Sequence, residues 1–302
     1  MDEIAERPGR MPSSAPAALP ALSIVIPASN EAGYIGACLD ALLASTYPAP
    51  RDPTPEPPVD ILVVANGCTD ATAAVARGHC EAAHARGWRL QVIELPVGSK
   101  IAALNAGDRI ARGPIRVCLD ADVIVSPPLL ERLARTLDRP EPAYASGRAL
   151  IAPPQSAISR AYARFWARLP FYRLPAPGFG VFAVNAAGRA RWGPFPDIIA
   201  DDTFVRLNFA PSERTEVDAT YTWPVVEGFA HLVKVRRRQD RGVTQFERCY
   251  PALMRNEDKP RVSVRQALGL AIRDPIGFSV YAAVIAATRI ARRGGLDWSR
   301  GR

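Results

Sequence analysis

From residue 22 the sequence alternates repeatedly between short apolar runs and amphipathic or alanine-rich stretches, and this alternation most constrains the fold. "LSIVIP" (22–27), "VDILVVAN" (59–66), "RLQVIEL" (89–95) and "IRVCLDAD" (115–122) read as strands. "EAGYIGACLDALLAS" (31–45), "TDATAAVARGHCEAAHARG" (69–87) and "KIAALNAGDRIARG" (100–113) read as helices, the second capped by Thr69 or Asp70. Such alternation with short connections predicts an α/β protein with a parallel, doubly wound sheet flanked by helices. Sheets of this kind bind ligands beyond the carboxyl ends of their strands. The polar segments "PASNE", "NGCTD", "GSK" and "DAD" fall at those ends and are expected to share one rim.

The last of these segments sets two carboxylates one residue apart. On a strand, Asp120 and Asp122 would share a face. Like charges so placed repel unless something positive lies between them. A hard cation with oxygen ligands, Mg²⁺ or Mn²⁺, meets that need. A strand-to-turn junction with helix-capping aspartates is the plainer alternative.

Composition narrows the partners. The 302 residues are 48% hydrophobic and 23% charged, ordinary for a globular chain, and the net charge of +8 favours an anionic partner. With 8% aromatics and no basic–aromatic repeat, nucleic acid is not the expected one. The five cysteines (38, 68, 80, 118, 249) form no C-x-x-C, so buried reduced thiols in the cytoplasm are expected. The opening 20 residues lack the basic and apolar regions of a signal peptide and read as a disordered leader. "YPAPRDPTPEPP" (47–58) reads as a loop or stiff excursion.

Taken in order, the motifs resemble those of family 2 glycosyltransferases of the GT-A fold. "SIVIPASNE" is similar to the family's opening strand and loop. "VVANGCTDAT" resembles V-V-D-(D/N)-G-S-T-D-G-T, "GSKIAALNAG" resembles G-K-x-x-A-L-N-x-G, and "LDADV" matches the D-x-D. "GFGVFAVNAAGRARWGPFPDIIADDTFVRLNF" (178–209) is similar to the acceptor-side block ending in E-D-x-x-L-x-x-R. The resemblance covers about residues 22–245. It implies a Rossmann-like, mostly parallel sheet, an acceptor-side mixed region, and a domain over 21–250 divided into a nucleotide-sugar half (21–125) and an acceptor half (126–250). Residues 251–302 form a helical tail with an apolar helix.

The same resemblance implies roles. Asp122 would bind the metal, with Asp120 on the metal or the ribose beside Ala121. Pro27, Ala28, Asn30, Glu31, Asn66 and Asp70 would hold the nucleoside. Lys100 would reach the diphosphate or base side of the pocket, against the alternative of a solvated helix-start lysine. Asp202 occupies the position of the general base and Asp201 that of the family's Glu; helix capping by the pair competes with this. Arg238 and Arg241 fit the R-x-x-R of a diphosphate clamp, or else belong to a basic solvated face. Gly242 stands where processive members carry Trp, which argues against processive synthesis. His231 is a further candidate metal ligand, set against an ordinary structural role. Ala65 replaces an acidic residue often used in base recognition, which leaves uracil and guanine both open.

The expected activity is inverting transfer from a UDP- or GDP-sugar to a hydroxyl of a glycan or lipid-linked acceptor, assisted by Mg²⁺ or Mn²⁺. A degenerate GT-A scaffold or binding protein is the alternative. A sugar-1-phosphate nucleotidyltransferase lacks its glycine-rich loop here. "DPIGFSVYAAVIAATRIARRGG" (274–295) has an apolar run of 14 residues from Pro275 to Thr288, then arginines. At ~1.5 Å per residue it falls short of a ~30 Å hydrocarbon core. Contact of 275–293 with the membrane surface, on the inner face of the plasma membrane, competes with packing on the protein itself.

Overall fold

A computed structural model describes residues 19–48, 57–260 and 262–293. The leader up to residue 18 and most of the proline-rich excursion (49–56) lie outside the described residues, as do the side chains of Arg292 and Arg293.

The first half is built from β1 (Leu22–Ala28), α1 (Ile35–Leu43), β2 (Val59–Asn66), α2 (Thr72–Arg77), α3 (Cys80–Ala85), β3 (Arg89–Leu95), α4 (Lys100–Ile110) and β4 (Ile115–Leu119). Then come β5 (Ile124–Val125), α5 (Leu129–Leu137), β6 (Tyr144–Ile151), α6 (Ala157–Trp166), β7 (Val181–Val184), α7 (Ala186–Arg189) and α8 (Asp201–Leu207). The chain ends with β8 (Arg214–Trp223), α9 (Phe229–Cys249), α10 (Val264–Arg273) and α11 (Pro275–Arg293).

One eight-stranded sheet, ordered β3-β2-β1-β4-β7-β6-β8-β5, runs through the molecule. The strands β3, β2, β1 and β4 are mutually parallel, as the alternation requires. Both faces of these strands are covered. Ile24, Ile61 and Val117 enter one apolar cluster with α1 and α5, while Val25, Leu62 and Cys118 enter another with Leu104 and Phe204. That is why these segments read as unbroken apolar runs. Burying a side chain such as Leu62 contributes roughly 1.5–3 kcal/mol.

The second half is mixed. The strand β7 runs antiparallel to β4 and β6, and β8 runs parallel to β6. The carboxyl end of β8 therefore lies at the same edge as those of β1 to β4, and so does the turn that leads into β7. That edge is the rim.

Two sequence expectations are corrected. The fourth strand stops at Leu119, and Asp120 to Asp122 lie in the turn after it, so a shared strand face does not explain them. Asp120 is the last residue to bond across to the neighbouring strand, its N–H donating to the Gly180 carbonyl at 2.7 Å in register with β7, while its carbonyl accepts from the Val123 N–H at 3.2 Å and closes the turn. The helix expected over 69–87 is two helices, interrupted around Gly78. Neither Thr69 nor Asp70 is its N-cap residue, which is Ala71.

Candidate active site

Three loops at the rim are tied into one unit. Asn30, at φ 57°, accepts through its side chain from the Thr69 N–H at 2.8 Å. The Asp70 carboxylate accepts from the N–H groups of Thr72 at 3.0 Å and Ala32 at 3.1 Å. The Glu31 N–H donates to the Thr72 hydroxyl at 2.8 Å. Gly67, at φ 55°, joins the loop after β2 to the loop after β3, since a Cβ there would lie 2.4 Å from the Gly98 nitrogen. Both the positive φ and the close approach demand glycine.

A cleft of about 800 Å³ opens over this unit. Pro27, Asn30, Glu31, Asn66, Lys100 and Asp120 line it, as do Ala121, Asp122 and Arg238. Ala28 lies within β1 and meets the rim only through its carbonyl, which accepts from Asn66 Nδ2 at 2.8 Å. Asp70 spends its carboxylate on the loops and does not line the cleft, so its part is to shape the pocket. Ala65 is buried at the end of β2, and no carboxylate stands at that position.

At the inner end of the cleft is a polar recess of about 30 Å³, lined in part by Lys100, Asp120, Asp201 and Asp202. The Lys100 ammonium lies 2.9 Å from Asp120 Oδ1 and 3.1 Å from Asp201 Oδ2. Ser99 positions it, as the N-cap of α4, by accepting from the Ala102 N–H at 3.2 Å. A lysine in the first turn opposes the helix dipole, and the two carboxylates offset that cost. Crowding by protein would lower its pKa, but Asp120 and Asp201 outweigh this and hold it above the ordinary lysine value. Burial raises the Asp201 carboxyl, Lys100 pulls it back, and Asp202 and Asp120 push it up again.

The helix α8 begins at Asp201, so both aspartates sit in its first turn and neither is the N-cap. One Asp202 oxygen accepts from the Thr203 N–H at 2.6 Å; the other has no protein partner among the described residues. The loop before α8 is held by α9. Gln245 accepts from the Ile199 N–H at 3.0 Å, and a Cβ at Gly242 would lie 3.1 Å from Ile199 and 3.2 Å from Ala200.

The expected clamp divides. Arg238 lines the cleft, whereas Arg241 stands beside the turn of α9 that packs on residues 199–200 and is not among the lining residues. Arg236 lines it instead, fixed by Asp240 at 3.0 Å. His231 is exposed, its Nδ1 contacts the Glu227 carbonyl at 2.8 Å, and it does not line the cleft. Among the described residues, no group of three or more His, Cys, Asp or Glu side chains converges on a metal-sized site. Mg²⁺ or Mn²⁺ fits the residues present only as a shell of one or two carboxylates completed by substrate phosphate and water, the usual arrangement for Mg²⁺.

The opposite wall was missed in the sequence reading. Tyr162, Trp166, Trp223, Val225 and Leu232 make it apolar, backed by α6, α9 and α11. Trp166 and Trp223 lie 5.7 Å apart, ring to ring. No local motif marks these residues, which come from three separate elements and a loop.

Comparison with known proteins gives a consistent family. Residues 23–190 match the sequence profile of glycosyl transferase family 2. The chain is similar to glycosyltransferase AglE of Haloferax volcanii, 34% identical over 120 residues that make up 39% of this chain and 36% of that protein. It is also similar to glycosyltransferase EpsJ of Bacillus subtilis, 27% identical over 121 residues, 40% of this chain and 31% of that protein. The matches thus span about a third of each relative. Among solved structures it is similar to mannosyltransferase PcManGT from Pyrobaculum calidifontis, in complex with GDP-Man and Mn²⁺. That likeness has a TM-score of 0.55 at 23% identity and covers 90% of this chain and 76% of the other. It establishes the GT-A fold.

Proposed function

The chain belongs to glycosyl transferase family 2, and from that premise we propose that it moves a sugar, with inversion, from a UDP- or GDP-sugar to a hydroxyl of a glycan or lipid-linked acceptor. The observation that carries the reading is the convergence of Lys100, Asp120, Asp201 and Asp202 on one recess at the end of the cleft. Charge of both signs, drawn from both halves of the chain, meets where donor and acceptor would react.

The donor's nucleoside lies on the unit formed by the loops after β1, β2 and β3, with Asn30, Glu31 and Asn66 facing it. Lys100 and Arg238 face its diphosphate. Asp122 and Asp120 would hold Mg²⁺ or Mn²⁺, which when bound supplies Lewis-acid stabilisation of the departing diphosphate. Asp202 removes the acceptor's proton through its unengaged oxygen as the new bond forms, the general-base role. Asp201 is less suited to that task because Lys100 occupies its carboxylate. A single in-line displacement inverts the anomeric carbon. The apolar wall around Trp166 and Trp223 favours an acceptor with an apolar part, so the lipid-linked class comes first, and with it a peripheral place on a membrane.

The test is a thermal-shift panel of UDP, GDP, CMP and dTDP, each with and without Mn²⁺, on the wild type and Asp122→Ala. One nucleoside diphosphate should stabilise the wild type only with metal, by about 2.7 kcal/mol at a hundredfold excess over Kd. Asp122→Ala should lose the effect. No shift with any nucleotide would end the transferase reading.

A further inference from the structure

The apolar C-terminal segment does not offer its whole length to solvent. In α11, Val284 and Thr288 are buried, and Val280 and Tyr281 pack with Phe165 and Trp166 of α6 and Leu232 of α9. Among the described residues, the unpartnered apolar surface lies instead on α10. Val264, Leu268 and Ile272 are 86%, 61% and 73% exposed. Spaced four residues apart, they form one stripe along the helix. Val262 before it and Ile276 after it are also exposed.

The helix has no buried residue, and only Leu270, on the opposite side, rests against the apolar cluster behind the cleft. A ten-residue helix is marginal alone, and this one is secured by a reciprocal Ser263–Gln266 capping box. Its exposed stripe is a costly surface to leave in water.

The exposed charge on the helix itself has one sign. Arg265 and Arg273 are exposed on α10, while Lys259, exposed before it, pairs with Glu257 at 3.5 Å. Between residues 259 and 293 the single acidic residue is Asp274. It is buried and paired to Arg164 at 2.8 Å and Arg168 at 2.9 Å, so it contributes no exposed negative charge. Apolar side chains with flanking arginines suit a helix lying in the head-group region of an anionic bilayer.

We propose that α10 is a docking helix for an anionic phospholipid surface, with Val264, Leu268 and Ile272 entering the lipid and Arg265 and Arg273 meeting its phosphates. This deepens the peripheral-membrane part of the reading above. Leu270, on the inner side of α10, belongs to the same cluster as Trp166 and Leu232 of the cleft wall, so docking holds the acceptor side of the cleft near the lipid.

The full chain is sedimented with vesicles of phosphatidylcholine alone and with one quarter phosphatidylglycerol. Binding is expected only to the anionic vesicles, with release by 0.5 M NaCl. Leu268→Glu/Ile272→Glu should weaken it at least tenfold, and so should Arg265→Glu/Arg273→Glu, a pair that leaves the stripe intact. Both variants should keep the wild-type melting temperature and the Mn²⁺-dependent nucleotide shift. Failure of the wild type to bind anionic vesicles, or undiminished, wild-type binding by either variant, overturns the proposal. So does a dimer in light scattering that the stripe variant dissociates without any vesicle binding. Lipid binding with no nucleotide shift would leave the docking helix standing and remove the transferase reading.

Discussion

The Lys100 ammonium lies 3.1 Å from the Asp201 carboxylate, which is buried at the start of α8. Burial already raises the Asp201 carboxyl, so removing the lysine leaves a buried acid without its countercharge. A raised pKa in the folded state means that stability is intact at low pH and falls as pH rises through the folded value. Lys100→Met should therefore melt near the wild type at pH 4–5 and below it at pH 8. The expected deficit at pH 8 is about 1–3 kcal/mol, kept modest because the lysine is half exposed along the cleft. Melting curves across that range check this; a deficit independent of pH would separate Lys100 from the Asp201 charge.

Asp202→Asn keeps size and the acceptor to Thr203 but cannot take a proton. Its kcat should fall by roughly 10²–10⁴ while the donor KM and the metal-dependent nucleotide shift stay close to wild type. Asp201→Asn should instead change the donor KM, because it removes one of the two carboxylates that hold Lys100 in place. Steady-state kinetics on both variants distinguishes the roles, and equal kcat losses with unchanged KM in both would reverse the assignment.

Hydrogen bonds from Arg164 hold the Asp274 carboxyl down to about 2, against its burial, with Gly277 and Arg168 adding to the effect. This group ties α6 to the junction of α10 and α11. Its contribution is complete above the unfolded value of about 3.9 and is lost as pH falls towards 2. With both arginines partly exposed, Asp274→Asn should cost about 1–2 kcal/mol at pH 7. The difference in melting temperature from wild type should shrink between pH 4 and pH 2, as acid titration by circular dichroism would report.

The Cys38 thiol is pushed up to about 12 by burial and by Asp120, and burial likewise raises Cys118. Cys249 is exposed. Iodoacetamide at pH 8 should modify Cys249 in the native protein and reach Cys38 and Cys118 only on unfolding. Mass spectrometry of the native digest reads this directly.

Gly242→Ala tests the seat of the loop before α8. Alanine gains about 0.5–1 kcal/mol of helix propensity, but its methyl must push Ile199 and Ala200 aside by a few tenths of an ångström. The melting temperature should change by only a few degrees while kcat falls about tenfold. An unchanged kcat would mean that the loop tolerates the shift.

The parallel half was legible because buried parallel strands announce themselves as apolar runs, and β2 and β3 begin and end where those runs do. The shared rim followed from strand direction alone. What escaped was decided by tertiary contact. The D-x-D lies in a turn because Asp120 makes the last rung towards β7, through Gly180 far along the chain, and its carbonyl then turns back to the Val123 N–H. Arg236 rather than Arg241 reaches the cleft because the seating of α9 on residues 199–200 sets the helix's rotation. The aromatic wall had no periodic signal, since Trp166 and Trp223 meet only once β8 returns beside β6. On α11, apolar content showed that something is covered but not by what.

The loops after β1, β2 and β3, bonded to one another through Asn30, Asp70 and Gly67, have a consequence for how donor preference can change. Under the proposed function, a nucleotide arriving there would find its seat already assembled, so little ordering entropy would be set against its affinity. The same preassembly removes loop rearrangement as a means of accommodating a different base. A change of donor would then have to work through single side chains that face the cleft, such as Asn30, Glu31 or Asn66, with the cross-bonded frame left as it is.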